Sequence, residues 1–276
     1  MNYPKRVMTI AGSSAGGSAG IQADLKTFQE SDVYGMSVIT AIVGRHPRTN
    51  KNVHALNIEA IEAQFATAMN QVGIDGIKTG MLFSKEIIDV VASLLQQAKI
   101  ENIVVDPVMI GKMNSKLLQD DAILALQTKL IPLATIITPN IPEASVLLGD
   151  REINSEEALK QAAIDLYELG AKSVLVKGGR LEGPAIDVLY DGNELITYEA
   201  PRINTVNTSG AGCSYSAAIV ANLTKGKSVQ DSVFHAKNYI TTAIQYGFSY
   251  TETVGPTYHA AERKYGPAYR IKVHKD

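Results

Sequence analysis

The sequence is poor in several residue types, and each shortage argues against a class of protein. Tryptophan is absent, aromatic residues make up 6% of the chain, and Cys213 is its one cysteine. With so few aromatic rings for bases to stack on, we do not expect single-stranded nucleic-acid binding. One thiol can form neither an internal disulfide nor a cysteine-based zinc site. No apolar run approaches the length of a membrane-spanning helix or a signal-peptide core, so we expect a cytoplasmic protein.

Charge and length narrow the choice further. The formal net charge is -2, which provides neither a basic field for nucleic acid nor a polybasic patch for a membrane surface. A length of 276 residues fits one large α/β core, and no repeat or linker indicates a second one. We therefore predict a single domain, residues 1–276, whose partner is a small molecule.

Short β-branched runs alternate with longer helical patterns, which indicates a mainly parallel sheet with helices on both faces. The predicted strands are 6–10, 38–43, 76–79, 102–105, 135–138 and 173–177. The predicted helices are 20–31, 58–72, 85–97, 115–129, 141–148, 155–169, 213–225 and 228–245. Residues 186–198 are typical of a hairpin that turns at Asp191-Gly192, so antiparallel strands should join the sheet late. The polar segment 45–52 predicts an exposed loop or flap.

The most informative segment is 207–213, Asn-Thr-Ser-Gly-Ala-Gly-Cys, which stands directly before an apolar-faced helix. Gly210 and Gly212 allow the backbone to approach an anion, and the helix directs its free N–H groups and positive dipole end at it. A thiol on the first helical turn is placed where cysteine most easily becomes thiolate. A lone cysteine is more often an inert buried residue, but the position of Cys213 after Gly210-Ala211-Gly212 favours a base. The segment suggests phosphoryl transfer.

Carboxylates and an amide follow two successive predicted strands. Asp106 ends the strand 102–105, and Asn140 and Glu143 lie one turn apart after the strand 135–138. Oxygen ligands at neighbouring strand ends suit a magnesium–phosphate site, in which Mg²⁺ keeps several waters. A turn role for Asp106 and a capping role for Asn140 are the alternatives, and capping could coexist with phosphate binding.

A lysine and two glycines, Lys177-Gly178-Gly179, end a third buried strand. Alone, the pattern would indicate a solvated lysine at a turn. Beside an anion hole and two carboxylates, a lysine that neutralises phosphate is the better interpretation. The glycine-rich run 11–20 lacks both the Walker spacing and the dinucleotide-binding spacing, so it indicates either close approach to a ligand or a plain turn.

In chain order, these motifs resemble the ribokinase-like superfamily, in the branch that holds the hydroxymethylpyrimidine(-phosphate) kinases and pyridoxal kinases. The matching stretches are 9–13, 20–28, 33–36, 78–82, 106–109, 138–143, 177–179, 187–192 and 210–213. The resemblance covers about residues 6–260. It implies a three-layer α/β/α sandwich and an ATP- and Mg²⁺-dependent kinase that acts on the hydroxymethyl group of a substituted pyridine or pyrimidine. Relatives in this branch are commonly dimers, so a homodimer is expected.

The resemblance also implies roles for individual residues. Cys213 would be the catalytic base, where sugar-kinase relatives have aspartate, and Gly210, Ala211 and Gly212 would form the anion hole. Asp106 and Glu143 would organise Mg²⁺, mostly through water. The residues that would bind ATP are Asn140, Lys177, Gly178, Gly179, Asp187, Gly212 and Lys237. The residues that would line the substrate pocket are Ala19, Asp24, Val43, Arg45, Met81 and Val108.

Departures from the family pattern bear on the substrate. Arg45 stands where pyrimidine kinases of this branch usually carry glutamine, and Pro47 resembles the pyridoxal-type relatives. Many of those relatives, however, have a second cysteine where Gly111 stands, and Ser14 and Ser209 replace a common aspartate and histidine. The leading hypothesis is a pyridoxal/pyridoxine/pyridoxamine kinase. The alternatives are a hydroxymethylpyrimidine(-phosphate) kinase of thiamine biosynthesis and a catalytically weak ligand-binding relative; a nicotinamide oxidoreductase is disfavoured because its fingerprint is missing.

Overall fold

The strands of the protein join into one sheet. The computed structural model describes residues 3–49, 52–109, 118–250, 252 and 255–276. The strands are β1 (Arg6–Ser14), β2 (Tyr34–Val43), β3 (Val53–Ala55), β4 (Gly76–Thr79), β5 (Asn102–Val105), β6 (Ile136–Ile137), β7 (Val174–Lys177), β8 (Ala185–Tyr190), β9 (Leu195–Ala200) and β10 (Lys272–Lys275). Across the described residues their order is β10-β9-β8-β7-β6-β5-β4-β1-β2-β3.

Helices connect most of these strands. They are α1 (Ile21–Glu30), α2 (Ile58–Gln71), α3 (Lys85–Ala98), α4 (Asp120–Ala125), α5 (Ile141–Leu147), α6 (Glu156–Tyr167), α7 (Ala211–Thr224), α8 (Val229–Gln245) and α9 (Ala261–Tyr265). Asn and Ser side chains cap several of them: Asn57 accepts the Ala60 N–H, and Ser155 accepts the Ala158 N–H. Within the described ranges, no helix has the length and apolar character needed to cross a membrane.

The sheet has a parallel centre and antiparallel ends. Strands β2, β1, β4, β5, β6 and β7 pair in parallel, whereas β8, β9 and β10 continue one end antiparallel and β3 pairs antiparallel with β2 at the other. One apolar core lies between the sheet and helices α2 to α6, and a second lies between the opposite face and α1, α7 and α8. The predicted three-layer α/β/α sandwich with a late antiparallel hairpin is therefore confirmed.

Several predicted boundaries differ from the structure. Strands 76–79 and 102–105 match, but β1 continues to Ser14 because it stays paired with β2 as far as Val43. The strand predicted at 135–138 is only Ile136–Ile137, and α7 begins two residues before Cys213. Of the helix predicted at 115–129, residues 115–117 lie outside the described residues. The remainder is α-helical at 120–125 and continues as a π-helical turn, Leu126–Leu130.

Three elements were not predicted: β3, α9 and β10. The strand β10 is exposed at every residue and, among the described residues, pairs with β9 alone, so it carries no alternation of buried and exposed positions to reveal it. The loop predicted at 45–52 is exposed over residues 45–49, while residues 50 and 51 lie outside the described residues.

Candidate active site

Asp106, which directly follows β5, accepts hydrogen bonds from side chains of three other parts of the fold at the carboxyl-terminal edge of the sheet. Its Oδ1 accepts hydrogen bonds from Lys177 Nζ at 3.0 Å and from Thr138 Oγ1 at 3.1 Å. Its Oδ2 accepts one from Ser216 Oγ of α7 at 3.2 Å. The aspartate is buried, and the Lys177 side chain is only 12% exposed. The ends of β5, β6 and β7 and the first turns of α7 are thus brought together by one carboxylate.

Asn140 and Glu143 form a capping box at the start of α5. Asn140 Oδ1 accepts the Glu143 N–H at 3.0 Å, and Glu143 Oε2 accepts the Asn140 N–H at 2.9 Å. The capping role that the sequence left open for Asn140 is therefore present. Glu143 is also buried, and this burial raises its pKa to about 8, an effect that Lys177 opposes and Asp106 strengthens. Burial is therefore the main reason why the ionised form of Glu143 is disfavoured, and the neighbouring charges act in opposite directions.

This donor set fits Mg²⁺. No group of three or more His, Cys, Asp or Glu side chains gathers as a metal site in the part of the chain that the structure describes. Two buried carboxylates, Asp106 and Glu143, are what an ion that keeps most of its waters requires. The raised pKa of Glu143 indicates that a further positive charge beside it would be favourable.

The first turn of α7 faces Lys177. Gly210 caps the helix with φ +84°, and a Cβ there would lie 1.7 Å from Ser18 O, so only glycine allows this close backbone contact. A Cβ on Gly212 would lie 3.3 Å from Lys177 Nζ, so the ammonium lies directly over the turn. The Ala211 N–H donates to Thr208 O at 3.1 Å. The helix N-terminus and the lysine charge therefore face the same space.

Cys213 lies on this turn, half-buried. Burial raises the pKa of its thiol; Lys78 opposes the rise, Asp24 and Asp106 strengthen it, and a hydrogen bond from the Gly20 N–H lowers it. The helix terminus was expected to favour thiolate, but desolvation outweighs that effect.

Sequence reasoning missed Lys78, which lies on β4 under α7. Its Nζ is 2.9 Å from both carboxylate oxygens of Asp24, and Thr9 Oγ1 donates to Asp24 Oδ2 at 2.6 Å. The side chains of Lys78 and Asp24 are both 0% exposed. Asp24 was expected to line the substrate pocket; its carboxylate is enclosed and engaged by Lys78 and Thr9, and its role toward a substrate stays a prediction. The available signal was a lysine within a strand predicted to be buried, since lysine is almost never fully buried without a partner.

Two predicted pocket residues, Met81 and Val43, meet above Gly12 at the end of β1. A Cβ on Gly12 would lie 2.7 Å from Met81 Cε and 3.5 Å from Val43 Cγ2. A larger residue at position 12 would displace the end of the Met81 side chain. The structure therefore places both residues next to the glycine-rich run 11–20, and their role toward a substrate stays a prediction.

The other predicted pocket residues are spread more widely. Ala19 Cα lies 3.4 Å from the position of a Cβ on Gly210, so Ala19 lies beside the turn at the start of α7. Val108 is half-buried, and its N–H donates to Asp106 O at 2.8 Å. Arg45 is exposed on the loop that follows β2. Gly111 lies outside the described residues.

Asp187 and Lys237, expected to border the nucleotide, bind each other. Lys237 Nζ lies 2.6 Å from Asp187 Oδ2, and the side chains are 6% and 5% exposed. Asp187 Oδ1 accepts the Gly178 N–H at 3.1 Å. The Gly179 carbonyl accepts a hydrogen bond from Arg202 Nη1 at 2.9 Å. The pair thus supports the turn that carries Lys177, and its charged atoms do not point outward.

Comparison with known proteins agrees with this geometry. The family model described as phosphomethylpyrimidine kinase matches residues 14–258. A pyridoxine kinase of Bacillus subtilis (strain 168) is 44% identical over 262 residues, which cover 94% of this chain and 97% of that protein. A hydroxymethylpyrimidine/phosphomethylpyrimidine kinase of Haemophilus influenzae is 42% identical over 267 residues, which cover 95% of this chain and 98% of that protein.

Solved structures show the same likeness. The pyridoxal kinase of Staphylococcus aureus in complex with AMP-PCP and pyridoxal aligns with a TM-score of 0.91 at 36% identity, covering 99% of this chain and 100% of that one. The likeness therefore extends over the whole sheet and both helical layers. The chain belongs to the phosphomethylpyrimidine kinase family, within the ribokinase-like fold, and is a kinase of the pyridoxal or hydroxymethylpyrimidine type.

Proposed function

We propose that the protein transfers the γ-phosphoryl group of ATP to the hydroxymethyl group of pyridoxal, pyridoxine or pyridoxamine. The observation that carries this proposal is the position of Lys177, which lies over the first turn of α7 and 3.0 Å from Asp106. One edge of the sheet carries the parts that in-line phosphoryl transfer uses. They are a cation, buried carboxylates, a helix N-terminus and a thiol. ATP as the donor is supported by the complexes of Staphylococcus aureus pyridoxal kinase with AMP-PCP and with ADP.

In this proposal the chain holds the phosphoryl group by charge. The anion hole of Gly210, Ala211 and Gly212 and the ammonium of Lys177 bind the phosphoryl oxygens, where fixed donors stabilise the charge that spreads in the transition state. Mg²⁺, held by Asp106 and Glu143 mostly through water, would neutralise phosphate charge when bound. Asn140, Gly178 and Gly179 border the phosphates from the ends of β6 and β7.

Cys213 accepts the proton of the substrate hydroxyl. General-base assistance is worth on the order of 10²–10⁴ in rate, so the greater part of catalysis comes from charge and positioning. Because burial raises the pKa of the thiol, its ionisation depends on the cations around it.

The choice of substrate is supported by the loop after β2. Arg45 replaces the glutamine that pyrimidine kinases usually carry, which removes an amide partner for the aminopyrimidine. Ala19, Val43, Met81 and Val108 supply apolar surface for a ring. A hydroxymethylpyrimidine(-phosphate) kinase is the second candidate, because the Haemophilus influenzae relative at 42% identity is nearly as similar as the Bacillus subtilis pyridoxine kinase at 44%.

A kinase assay with ATP and Mg²⁺ on pyridoxal, pyridoxine and hydroxymethylpyrimidine separates the candidates. We expect the highest kcat/KM with a B6 vitamer. A kcat/KM higher by more than about tenfold for hydroxymethylpyrimidine would replace the first candidate with the second, since one hydrogen bond contributes about 1 kcal/mol net, or up to about tenfold. ATP binding without ADP formation on any of the three would indicate a ligand-binding relative. As a matched variant, Arg45→Gln should shift the ratio of kcat/KM values toward hydroxymethylpyrimidine.

The proposal includes one domain over residues 1–276 and a homodimer in the cytoplasm. One sheet that runs from Arg6 to Lys275 supports the first of these. Analytical ultracentrifugation of the purified chain tests the dimer.

A further inference from the structure

A histidine outside the proposed catalytic groups is hydrogen-bonded to the first turns of α7. His259 Nε2 lies 3.0 Å from Ser214 Oγ, and the two residues are 45 positions apart in the chain. His259 is 8% exposed and Ser214 is 0% exposed. Burying polar side chains is costly unless they are hydrogen-bonded, and here each meets the other. Phosphoryl transfer as proposed above gives neither residue a role.

The same serine hydroxyl extends the contact to Gly210. Ser214 Oγ lies 2.9 Å from Gly210 O, which also accepts the Ser214 N–H at 2.9 Å. A carbonyl oxygen cannot donate, so the single hydroxyl proton of Ser214 lies between its Oγ and Gly210 O. The proton between Oγ and His259 Nε2 is then that of the imidazole. The hydrogen bonds therefore run in one direction, from His259 through Ser214 to the Gly210 carbonyl.

The imidazole of His259 is neutral at neutral pH. Burial lowers the pKa of His259 to about 4; Lys26 lowers it further, and Glu30 opposes the decrease. A neutral imidazole carries one N–H, and the direction of the hydrogen bonds places that N–H on Nε2.

The segment 255–259, which ends at this imidazole, also holds the residue before Gly210. The Ser209 N–H donates to Gly255 O at 3.0 Å, and the Thr257 N–H donates to Ser209 O at 3.3 Å. Gly210, with φ +84°, lies between the two attachments and has no side chain of its own to hold it. Its conformation therefore depends on contacts made by its neighbours.

The hydrogen bonds to the Gly210 carbonyl also set the direction of the next N–H. Gly210 C=O and Ala211 N–H belong to one planar peptide group, so fixing the carbonyl fixes the N–H. That N–H donates to Thr208 O at 3.1 Å. This peptide group is the first in the turn that is proposed to bind the phosphoryl oxygens. Donors stabilise a transition state best when their directions are set before the reaction.

We propose that His259 and Ser214 are positioning residues for the turn 210–212: the imidazole N–H orients the Ser214 hydroxyl, and that hydroxyl holds the Gly210–Ala211 peptide group in its direction. The inference rests on the proposed function for its kinetic consequence, whereas the hydrogen bonds themselves need no substrate. An imidazole retained for packing alone would tolerate an apolar replacement. An imidazole that orients a hydroxyl requires a donor at the position of Nε2.

The first test needs no substrate. In isotope-labelled full-length protein, NMR of the imidazole nitrogens reports the tautomers of the five histidines, and the variant His259→Leu identifies the signals of His259. We expect the Nε2–H tautomer for His259 at neutral pH. Hydrogen–deuterium exchange of residues 208–214 should be about fivefold faster in His259→Leu and in Ser214→Ala, because one hydrogen bond changes a local opening equilibrium by about that factor. His259→Gln, whose amide N–H can take the place of Nε2–H, should exchange nearly as slowly as wild type.

Kinetics with ATP and the preferred vitamer measure the consequence. We expect kcat to fall about tenfold in His259→Leu and in Ser214→Ala with little change in either KM, since misplaced donors lose transition-state stabilisation and not substrate binding. The double variant should lose no more than the larger single loss, because both substitutions break one chain of hydrogen bonds. His259→Gln should keep most of the wild-type kcat.

The control is His235→Leu, which removes an exposed histidine of α8 and should leave exchange and kcat unchanged. If His259→Leu does not fold by circular dichroism, Ser214→Ala, which places a good helix former in α7, gives the same comparison from the other partner. An Nδ1–H tautomer for His259, wild-type exchange or wild-type kcat in the folded variants, or equal losses in His259→Gln and His259→Leu would overturn the inference. The expected tautomer and exchange with no turnover on any substrate would instead count against the proposed function alone.

Discussion

Charged side chains are buried at the carboxyl ends of β4, β5 and β7, whereas along the antiparallel strands β9 and β10 they are exposed. The side chains of Lys177 and Asp106 are 12% and 3% exposed, and those of Lys272 and Glu199, which also form an ion pair, are 67% and 25% exposed. The distances are alike, at 3.0 Å and 2.6 Å. The two pairs differ in their surroundings and not in their geometry.

The difference shows where the fold accepts an energetic cost. An exposed pair exchanges contacts with water and contributes little, whereas removing one partner of a buried pair leaves an uncompensated charge. The parallel edge carries Asp24, Lys78, Asp106, Glu143 and Lys177 in the interior, each engaged by another polar group. This concentration of buried charge at a single edge is expected of a site that must hold phosphates.

The largest effect should follow from Cys213→Ala. Removing the thiol removes the proposed base while leaving Lys177 and the N–H groups of α7 in place. We expect kcat to fall by about 10²–10⁴-fold, with little change in ATP affinity. Steady-state kinetics with the preferred vitamer and calorimetric titration with ATP measure the two quantities. Near-normal turnover would remove Cys213 from the base role.

The contrast between the two edges is tested by a matched pair of variants, Lys177→Met and Lys272→Met. Lys177→Met removes the proposed phosphate partner and leaves Asp106 buried beside Glu143, so we expect kcat/KM to fall by about 10²-fold or more. We also expect the free energy of unfolding to fall by roughly 3 kcal/mol, as when a buried pair is broken. Lys272→Met should change neither quantity measurably.

Urea unfolding and steady-state kinetics of both variants provide the comparison. A Lys177→Met protein as stable as wild type would show that solvent already screens that pair. Similar losses in both variants would contradict the distinction between the edges.

Much of the parallel edge was predictable because its elements obey simple rules. The strands 102–105 and 173–177 contain the apolar runs 103–105 and 174–176 with clear ends, and parallel strands bring the residues at those ends to one edge. That reasoning places Asp106 and Lys177 together, and they lie 3.0 Å apart. Their roles toward ATP and Mg²⁺ stay predictions.

The remainder depends on contacts between distant residues. Nothing local to Asp24 indicates that Lys78, 54 residues later, will enclose it. The mutual pairing of Asp187 and Lys237 likewise joins β8 to α8 across 50 residues. The edge strand β10 has exposed residues throughout, so no hydrophobic alternation marks it.

The contributions of the two edges to the free energy of unfolding should also depend on pH, with opposite signs. Burial raises the pKa of Glu143 from 4.5 to about 8, so between these values the folded protein keeps a proton that the unfolded chain has lost. Stability therefore falls as pH rises through this window. Lys272 lowers the pKa of Glu199, so that residue contributes stability above its usual pKa, which is lost as pH falls.

The variant Glu143→Gln should remove the first dependence. The comparison is the free energy of unfolding of Glu143→Gln minus that of wild type, measured without Mg²⁺. We expect this difference to rise in favour of the variant by on the order of 2 kcal/mol from pH 5 to pH 8. Urea unfolding at several pH values measures this difference. Glu199→Gln is the control: its loss of stability relative to wild type should be constant between pH 5 and pH 8 and should disappear as the pH falls below the usual pKa of glutamate. Parallel stability curves for wild type and Glu143→Gln would show that Glu143 is ionised throughout.

The smallest effect concerns the hairpin between β8 and β9, away from the buried charges. Gly192 has φ +91°, and a Cβ there would lie 2.5 Å from Tyr167 Oη, whereas Gly183 has φ +78° with open space around it. Both Gly192→Ala and Gly183→Ala strain the backbone by about 1 kcal/mol, and Gly192→Ala must also displace the Tyr167 ring. We therefore expect a lower melting temperature for both variants, lowest for Gly192→Ala, with kcat unchanged. Asp187 on β8 supports the turn that follows Lys177. A fall in kcat for Gly192→Ala would therefore show that the antiparallel edge is coupled to the catalytic edge through β7 and β8.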